Sequence, residues 1–105
     1  MVRVHIWVRK KDSLSDDEFA EYWRTTHAPI ARDGYEHLRG YEVDLVTRAP
    51  EGQERPYDGV ATLTWGDRDG FKADMGSGAA SRATEDLKNF SSAFGLLFVD
   101  RVEVK

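Results

Sequence analysis

Four separate stretches of the chain alternate apolar with polar or aromatic residues. In the first, valine or isoleucine occupies every second position from Val2 to Val8, which is the period-two pattern of a strand with one apolar face. The pattern returns in three later stretches, residues 40–46, 59–65 and 96–104. We therefore predict four strands.

A helix is predicted directly after the first strand, because its starting signals are complete. Ser15 can cap the helix and Glu18 can reach back to it, while Leu14 precedes the cap as a hydrophobic staple. Apolar and aromatic residues then recur at helical spacing along one face, beginning at Phe19. Pro29 lacks a backbone donor and disfavours helical geometry in the residue before it, so we predict that the helix ends near this position.

Two further helical segments, residues 67–75 and 79–90, lie between the third and fourth strands and are separated by a Gly-Ser-Gly break. The order of elements is therefore βαββαβ, the split-βαβ arrangement. It predicts an α+β fold with a four-stranded antiparallel sheet and helices on one face. A length of 105 residues leaves no room for two independent cores, so residues 1–105 are predicted to form a single domain.

Composition narrows the classes of partner. The formal net charge is −4 and the basic residues are scattered, which argues against a nucleic-acid partner. No apolar run approaches the roughly 20 residues that cross a bilayer, and the N-terminus has a strand pattern instead of a signal sequence. We expect a cytoplasmic protein with no membrane partner. The chain has no cysteine, which excludes a disulfide framework and a thiol nucleophile.

The sheet has a second face that helices do not cover in this arrangement. Its predicted residues mix both charge signs with an aromatic ring, and they are Arg3, His5, Trp7, Glu42, Asp44, Thr62, Thr64, Arg101 and Glu103. One interpretation is a solvated face, as antiparallel sheets commonly have. The other is a face packed against its two-fold mate in a homodimer, where opposite charges from the two copies pair.

His27 is the first candidate for chemistry. It follows Trp23 by one helical turn and so extends an aromatic line on the buried side of the helix. A helix that stops at Pro29 would put His27 in its last turn, where free carbonyls favour a cation, whereas burial favours the neutral ring. A histidine between these effects suits acid or base catalysis near neutral pH. The alternative is that His27 only caps the helix by donating to a backbone carbonyl.

Several motifs that follow one another along the chain together resemble a known family. A strand ending in Arg9-Lys10-Lys11 leads into a capped helix with a Phe and a Tyr22-Trp23 pair, then into His27-Ala28-Pro29-Ile30, and finally into Gly40-Tyr41. This pattern resembles the EthD family of dimeric α/β-barrel proteins, strongly over residues 2–46 and more weakly over residues 57–65.

The resemblance implies a ferredoxin-like protomer, a homodimer joined sheet to sheet, and a ligand pocket between the sheet and the helices of each copy. Family members include a methylmuconolactone isomerase and proteins of ether breakdown and polyketide pathways, and related barrels include cofactor-free oxygenases. In the isomerase, the histidine of the His-x-Pro and the following tyrosine bind or polarise the lactone, and they match His27 and Tyr41. That enzyme also uses a further histidine and a cysteine, which this cysteine-free sequence does not supply.

Four other residues are candidates for substrate binding. Trp23 and Trp65 are interpreted as pocket wall or core, and Tyr22 accompanies Trp23 in the motif. Asp58 precedes a glycine and is most simply a turn residue, with the alternative that it serves as a carboxylate base at the pocket mouth.

No motif points to a metal or an organic cofactor. The three histidines show no metal-ligand spacing, and Gly76-Ser77-Gly78 lacks the lysine of a phosphate loop. We predict a cofactor-independent enzyme of the lyase, dehydratase or isomerase type, with His27 and Tyr41 as catalytic residues and a small cyclic or aromatic substrate. The alternatives are a cofactor-free oxygenase and a non-catalytic carrier of a hydrophobic pathway intermediate.

Overall fold

A computed structural model describes all 105 residues. Its elements are, in chain order, β1 (Val2–Lys10), α1 (Asp16–Tyr22), a π-helical segment (Trp23–His27), α2 (Ala28–Gly34), β2 (Leu38–Leu45), β3 (Gly59–Trp65), α3 (Arg68–Met75), α4 (Gly78–Phe90) and β4 (Ser91–Phe98). The four strands form one antiparallel sheet in the order β2-β3-β1-β4. The predicted order of elements, with helices on one face, is therefore confirmed.

The start of α1 is the predicted capping box. The Ser15 hydroxyl accepts a hydrogen bond from the Glu18 backbone N–H, and the Glu18 carboxylate accepts one from the Ser15 backbone N–H. Two of the backbone donors that a helix leaves free at its N-terminus are satisfied in this way.

The predicted helix end at Pro29 is wrong. The chain widens into the π-helical segment Trp23–His27 and then continues as α2 to Gly34, with Pro29 in the first turn of α2. The Ala28 N–H donates to the Trp23 carbonyl, five residues back. Proline in a regular α-helix clashes with the carbonyl four residues earlier and removes one hydrogen bond. A wider π turn just before it accommodates the ring, so the helix changes pitch instead of stopping.

The core lies between the sheet and the helices. Val4 and Val8 of β1 and the alternate residues of β3 from Gly59 to Trp65 are buried against the helices. Phe90, at the end of α4, is fully buried and packs against Phe19 with ring centroids 5.5 Å apart. The Phe90 ring also contacts Trp23 and His27, with ring centroids 5.6 Å and 4.8 Å apart, and so holds the π-helical segment over the sheet.

The last strand begins and ends earlier than predicted. It spans Ser91–Phe98 instead of 96–104, and the residues that follow Phe98 form no regular element. Pairing with β1 sets this register, with Val4 opposite Phe98 and Val8 opposite Phe94. Because β1 begins at Val2, few of its residues remain to pair with the chain after Phe98. The predicted placement of Arg101 and Glu103 on the sheet is therefore wrong.

The second face of the sheet carries the other predicted residues. Arg3 lies opposite Thr64 and His5 opposite Thr62 in neighbouring strands, and Glu42 of β2 also pairs with Thr62. The alternation places Leu97, opposite His5, on this same face. None of the helices in the protein has the length and apolarity that crossing a membrane requires.

Candidate active site

A cavity of about 280 Å³ lies between the sheet and the helices. Apolar and aromatic side chains make up most of its lining. Three residues predicted for the site, His27, Tyr41 and Trp65, line it together. Its rim includes Phe94 and Leu96 of the edge strand β4, which are both exposed to solvent.

His27 enters the cavity from the π-helical segment and is held by Asp86 of α4. Its Nδ1 lies 2.9 Å from the Asp86 Oδ2. Because an ionised carboxylate only accepts hydrogen bonds, this contact fixes the proton of the neutral imidazole on Nδ1. Nε2 has no hydrogen-bond partner in the chain. Every fully buried polar side-chain atom does have a partner, so Nε2 is not fully buried. The lone pair of Nε2 is therefore available to a ligand.

Opposing effects set the charge state of this pair. Burial lowers the pKa of His27 below its ordinary value of 6.5, although the hydrogen bond and the charge of Asp86 act in the opposite direction. Burial alone would raise the pKa of Asp86, but hydrogen bonds from Tyr22, Asn89 and His27 together hold it below the ordinary value of 3.8. A neutral imidazole beside an ionised carboxylate results at neutral pH, which is the state that a general base needs.

Asp86 is a site residue that the sequence analysis missed. Its Oδ1 accepts from the Tyr22 hydroxyl at 2.7 Å and from the Asn89 Nδ2 at 3.0 Å. Tyr22 does not line the cavity, and its ring stacks on Phe90 with centroids 5.1 Å apart. Tyr22 thus supports the carboxylate that supports His27. No local motif marks Asp86, because its partners Tyr22 and His27 lie far from it in the sequence.

Tyr41 faces the cavity from β2, and a hydrogen bond from Trp23 holds its hydroxyl in place. The Trp23 Nε1–H donates to the Tyr41 hydroxyl oxygen over 3.1 Å, and the hydroxyl donates to no atom of the chain. Burial raises the pKa of Tyr41, and the Trp23 hydrogen bond offsets part of that rise. The hydroxyl stays protonated at neutral pH and can donate to a ligand. Trp23 also contacts His27 edge to face, with ring centroids 6.4 Å apart, so one indole supports both residues.

Tyr35 is a second residue that the sequence analysis missed. It lines the cavity and is buried. Burial raises the pKa of its hydroxyl, and the nearby Tyr41 and Asp74 add to that rise. It lies where α2 gives way to the loop before β2. The continuation of the helix past Pro29 brings Tyr35 to this position.

Trp65 forms one wall of the cavity, and Asp74 and Phe71 hold its indole in place. Its Nε1–H donates to the Asp74 Oδ2 over 2.7 Å, and its ring meets Phe71 edge to face. Asp74 is only 2% exposed and also accepts from the backbone N–H of His37. The buried carboxylate therefore fixes the indole and the start of β2.

Asp58 does not lie at the cavity. Its Oδ2 accepts from the backbone N–H of Lys10 over 2.9 Å, and its Oδ1 lies 3.4 Å from an Arg55 guanidinium nitrogen. Its position directly before β3 fits the turn interpretation. No group of three histidine, aspartate or glutamate side chains comes together in the geometry that a metal ion requires.

The fold and the cavity together define the class of protein. It is a ferredoxin-like α+β protein with a cavity between the sheet and the helices that is large enough for a small molecule. The family model of the EthD domain matches residues 11–93. The chain therefore belongs to the EthD family, as its motifs predicted.

Solved structures support the same fold. The chain is similar to an EthD family protein from Bacillus halodurans, with a TM-score of 0.77 and 19% identity over 97% of this chain and 100% of that one. It is similar to a dimeric ferredoxin-like protein from Thermobifida fusca, with a TM-score of 0.71 and 16% identity over 93% and 88% of the two chains. An antibiotic biosynthesis monooxygenase gives a TM-score of 0.66 and 13% identity over 98% and 100%. A search of curated proteins found no significant match.

Proposed function

We propose that this protein is a cofactor-independent enzyme that moves a proton on a small cyclic or aromatic metabolite. One observation carries the proposal: Asp86 holds Nδ1 of His27 and leaves Nε2 without a partner, and His27 lines a mostly apolar cavity together with Tyr41, whose hydroxyl proton is also without a partner.

The proposed chemistry uses these groups in turn. His27 Nε2 removes a proton next to a substrate carbonyl, and Asp86 stabilises the imidazolium that forms. The Tyr41 hydroxyl donates a hydrogen bond to the carbonyl oxygen as negative charge develops there. Tyr35 supplies a second hydroxyl in the same cavity. Return of the proton from His27 to a different atom completes an isomerisation, and delivery to a leaving hydroxyl completes a dehydration.

The size and lining of the cavity support the substrate class. Its volume of about 280 Å³ lies near the lower end of the roughly 300–1,000 Å³ that small-molecule sites occupy. Aromatic rings such as Trp65 and Tyr35 offer flat apolar contacts. A compact ring compound with one or two carbonyl or hydroxyl groups matches these properties, whereas a highly charged metabolite does not.

We also propose that the protein works as a homodimer. Exposed large apolar side chains concentrate on β4 and the segment after it, with Leu97 57% and Phe98 66% exposed. An exposed apolar edge strand promotes association in water. The Thermobifida fusca protein of the same fold is described as dimeric, which supports the proposal.

The apolar lining also supports a second candidate, a carrier that shields a hydrophobic intermediate without converting it. A third candidate, a cofactor-free oxygenase, draws support from the similarity to the antibiotic biosynthesis monooxygenase. The three candidates differ in what happens to a bound molecule, and one experiment separates them.

The experiment uses a panel of small enolisable ring ketones, screened for binding by thermal shift. Proton exchange of each bound compound with D₂O is then followed by NMR while dissolved oxygen is monitored. We expect exchange that His27→Ala reduces by roughly 10²–10⁴-fold, while His37→Ala, which removes an exposed histidine outside the cavity, leaves it unchanged. Tyr41→Phe should reduce it less. Binding without exchange would favour the carrier, and oxygen consumption would favour the oxygenase.

A further inference from the structure

A second depression lies on the other side of the Trp23–Tyr41 pair, between the helical layer and β2. We name it the lateral groove; its volume is about 320 Å³. Its lining is mostly apolar and includes Trp23, Val43 and Leu45, and Arg24 and Arg32 are its charged residues. Tyr41 lines both the groove and the cavity. Neither the motifs nor the proposed reaction gives this groove a role.

The two arginines of the groove are held only by neighbouring carboxylates. Arg24 pairs with Glu21, and Arg32 pairs with Asp33, its immediate neighbour. All four side chains are at least 60% exposed. Exposed ion pairs contribute about 0–1 kcal/mol, so a carboxylate from a ligand can replace Glu21 or Asp33 at little cost. Neither Glu21 nor Asp33 lines the groove.

The apolar part of the groove is partly open to solvent. Leu45 is 43% exposed, and Val43 and the Trp23 ring lie beside it. A ligand that covered Leu45 and the half-buried Val43 would remove apolar surface from water, at about 25 cal/mol per Å². The Trp23 ring is only 2% exposed and forms the floor of the groove. The guanidinium groups of Arg24 and Arg32 prefer a carboxylate, which accepts two parallel hydrogen bonds from each.

We propose that the lateral groove binds an amphipathic organic carboxylate, with its ring or short chain on Val43, Leu45 and Trp23 and its carboxylate on Arg24 or Arg32. This site is distinct from the cavity, and binding there does not depend on the proposed reaction. Because the Trp23 indole donates to Tyr41, a ligand in the groove contacts both Tyr41, which also lines the cavity, and the indole that holds the Tyr41 hydroxyl.

The test compares two probes of matched shape, 4-phenylbutyrate and the neutral 4-phenylbutan-1-ol, titrated into ¹⁵N-labelled full-length protein. The indole N–H signals report the three tryptophans separately. We expect the carboxylate to bind about tenfold more tightly than the alcohol or better, to move the Trp23 signal, and to weaken as salt is added. Arg24→Gln and Arg32→Gln should each reduce this preference, and the double variant should abolish it.

Arg82→Gln is the matched control, because it removes the same charge from an exposed position on α4 outside the groove. It should leave the preference for the carboxylate unchanged. Equal binding of the two probes, or no binding at millimolar concentration, would overturn the proposal. So would a response confined to the Trp65 signal, because that would place the probe in the cavity.

Discussion

At the scale of single residues, Asp86 decides what His27 can do. It holds the proton on Nδ1 and leaves Nε2 open, and it partly offsets the effect of burial on the pKa of the imidazole. Burial and Asp86 therefore shift the pKa of His27 in opposite directions, and each effect can be measured.

The stability of the protein should fall as the pH drops below about 6.5, the ordinary pKa of histidine. Burial lowers the pKa of His27 in the folded chain below the 6.5 of a free histidine, so the unfolded chain binds the proton more readily. The free energy of unfolding is therefore highest above the unfolded pKa and decreases as the pH falls towards the folded pKa. Urea denaturation at pH 7.5 and pH 5.5 measures the difference. His27→Gln should show a smaller decrease than the wild type, with His37→Gln as the control; an unchanged decrease in His27→Gln would contradict the prediction.

Asp86→Asn should lower the pKa of His27 further. The hydrogen bond and the charge of Asp86 both raise that pKa, so replacing the carboxylate with an amide removes an interaction that favours the imidazolium. An NMR titration of the His27 ring measures the shift without any substrate. Glu85→Gln is the matched control, since Glu85 is exposed and pairs with Lys88 instead. If Asp86→Asn left the titration of His27 at its wild-type position, Asp86 would not be the positioning residue of the pair.

At the scale of elements, the π-helical segment and β3 meet through a close contact at Gly59. A Cβ at this position would lie 2.7 Å from the Trp23 Cζ3 and 3.5 Å from the Phe19 ring. The absence of a side chain at the first residue of β3 therefore lets the Trp23 indole reach the position from which it donates to Tyr41. A similar contact joins β1 and β4, where the Trp7 ring covers Gly95.

Gly59→Ala should destabilise the protein by about 1–3 kcal/mol, the usual cost of adding a methyl group to a packed core. It should also displace the Trp23 indole, which the indole N–H signal reports. Gly40→Ala is the matched control, because a Cβ there meets the nearest atom, of Thr64, at an ordinary 3.6 Å. Equal stability of the two variants would mean that the strand and helix relax freely at Gly59.

At the scale of the whole molecule, the exposed apolar residues of β4 point to association. Leu97 shares the second face of the sheet with His5, whereas its neighbour Leu96 lies opposite Ile6 and lines the cavity. Substitutions at these two adjacent residues therefore test opposite faces of the sheet.

We predict a mass near twice 11.9 kDa by light scattering at micromolar concentration. In a dimer joined sheet to sheet, Leu97→Glu should shift the mass towards the monomer, because it buries a charge in the interface. Leu96→Glu should leave the dimer intact. A wild-type monomer would contradict the dimer, and dissociation by Leu96→Glu alone would place the interface on the other side of the sheet.

Local sequence patterns were sufficient for much of this protein. The alternation of β3 predicted its bounds, Gly59–Trp65, without error, and the Ser15–Glu18 capping box marked the start of α1. Both features depend on neighbouring residues only, so a sequence displays them directly. The motifs around His27 likewise predicted the family.

Tertiary structure decided the rest. Asp86 lies 59 positions from its partner His27, and only the packing of α4 against the π-helical segment brings them together. The continuation of the helix past Pro29 depends on a change of pitch that no local rule for proline indicates. The bounds of β4 follow from its hydrogen bonds to β1. The alternating residues after Phe98 have the pattern of a strand, but a strand exists only where a partner strand supplies its hydrogen bonds.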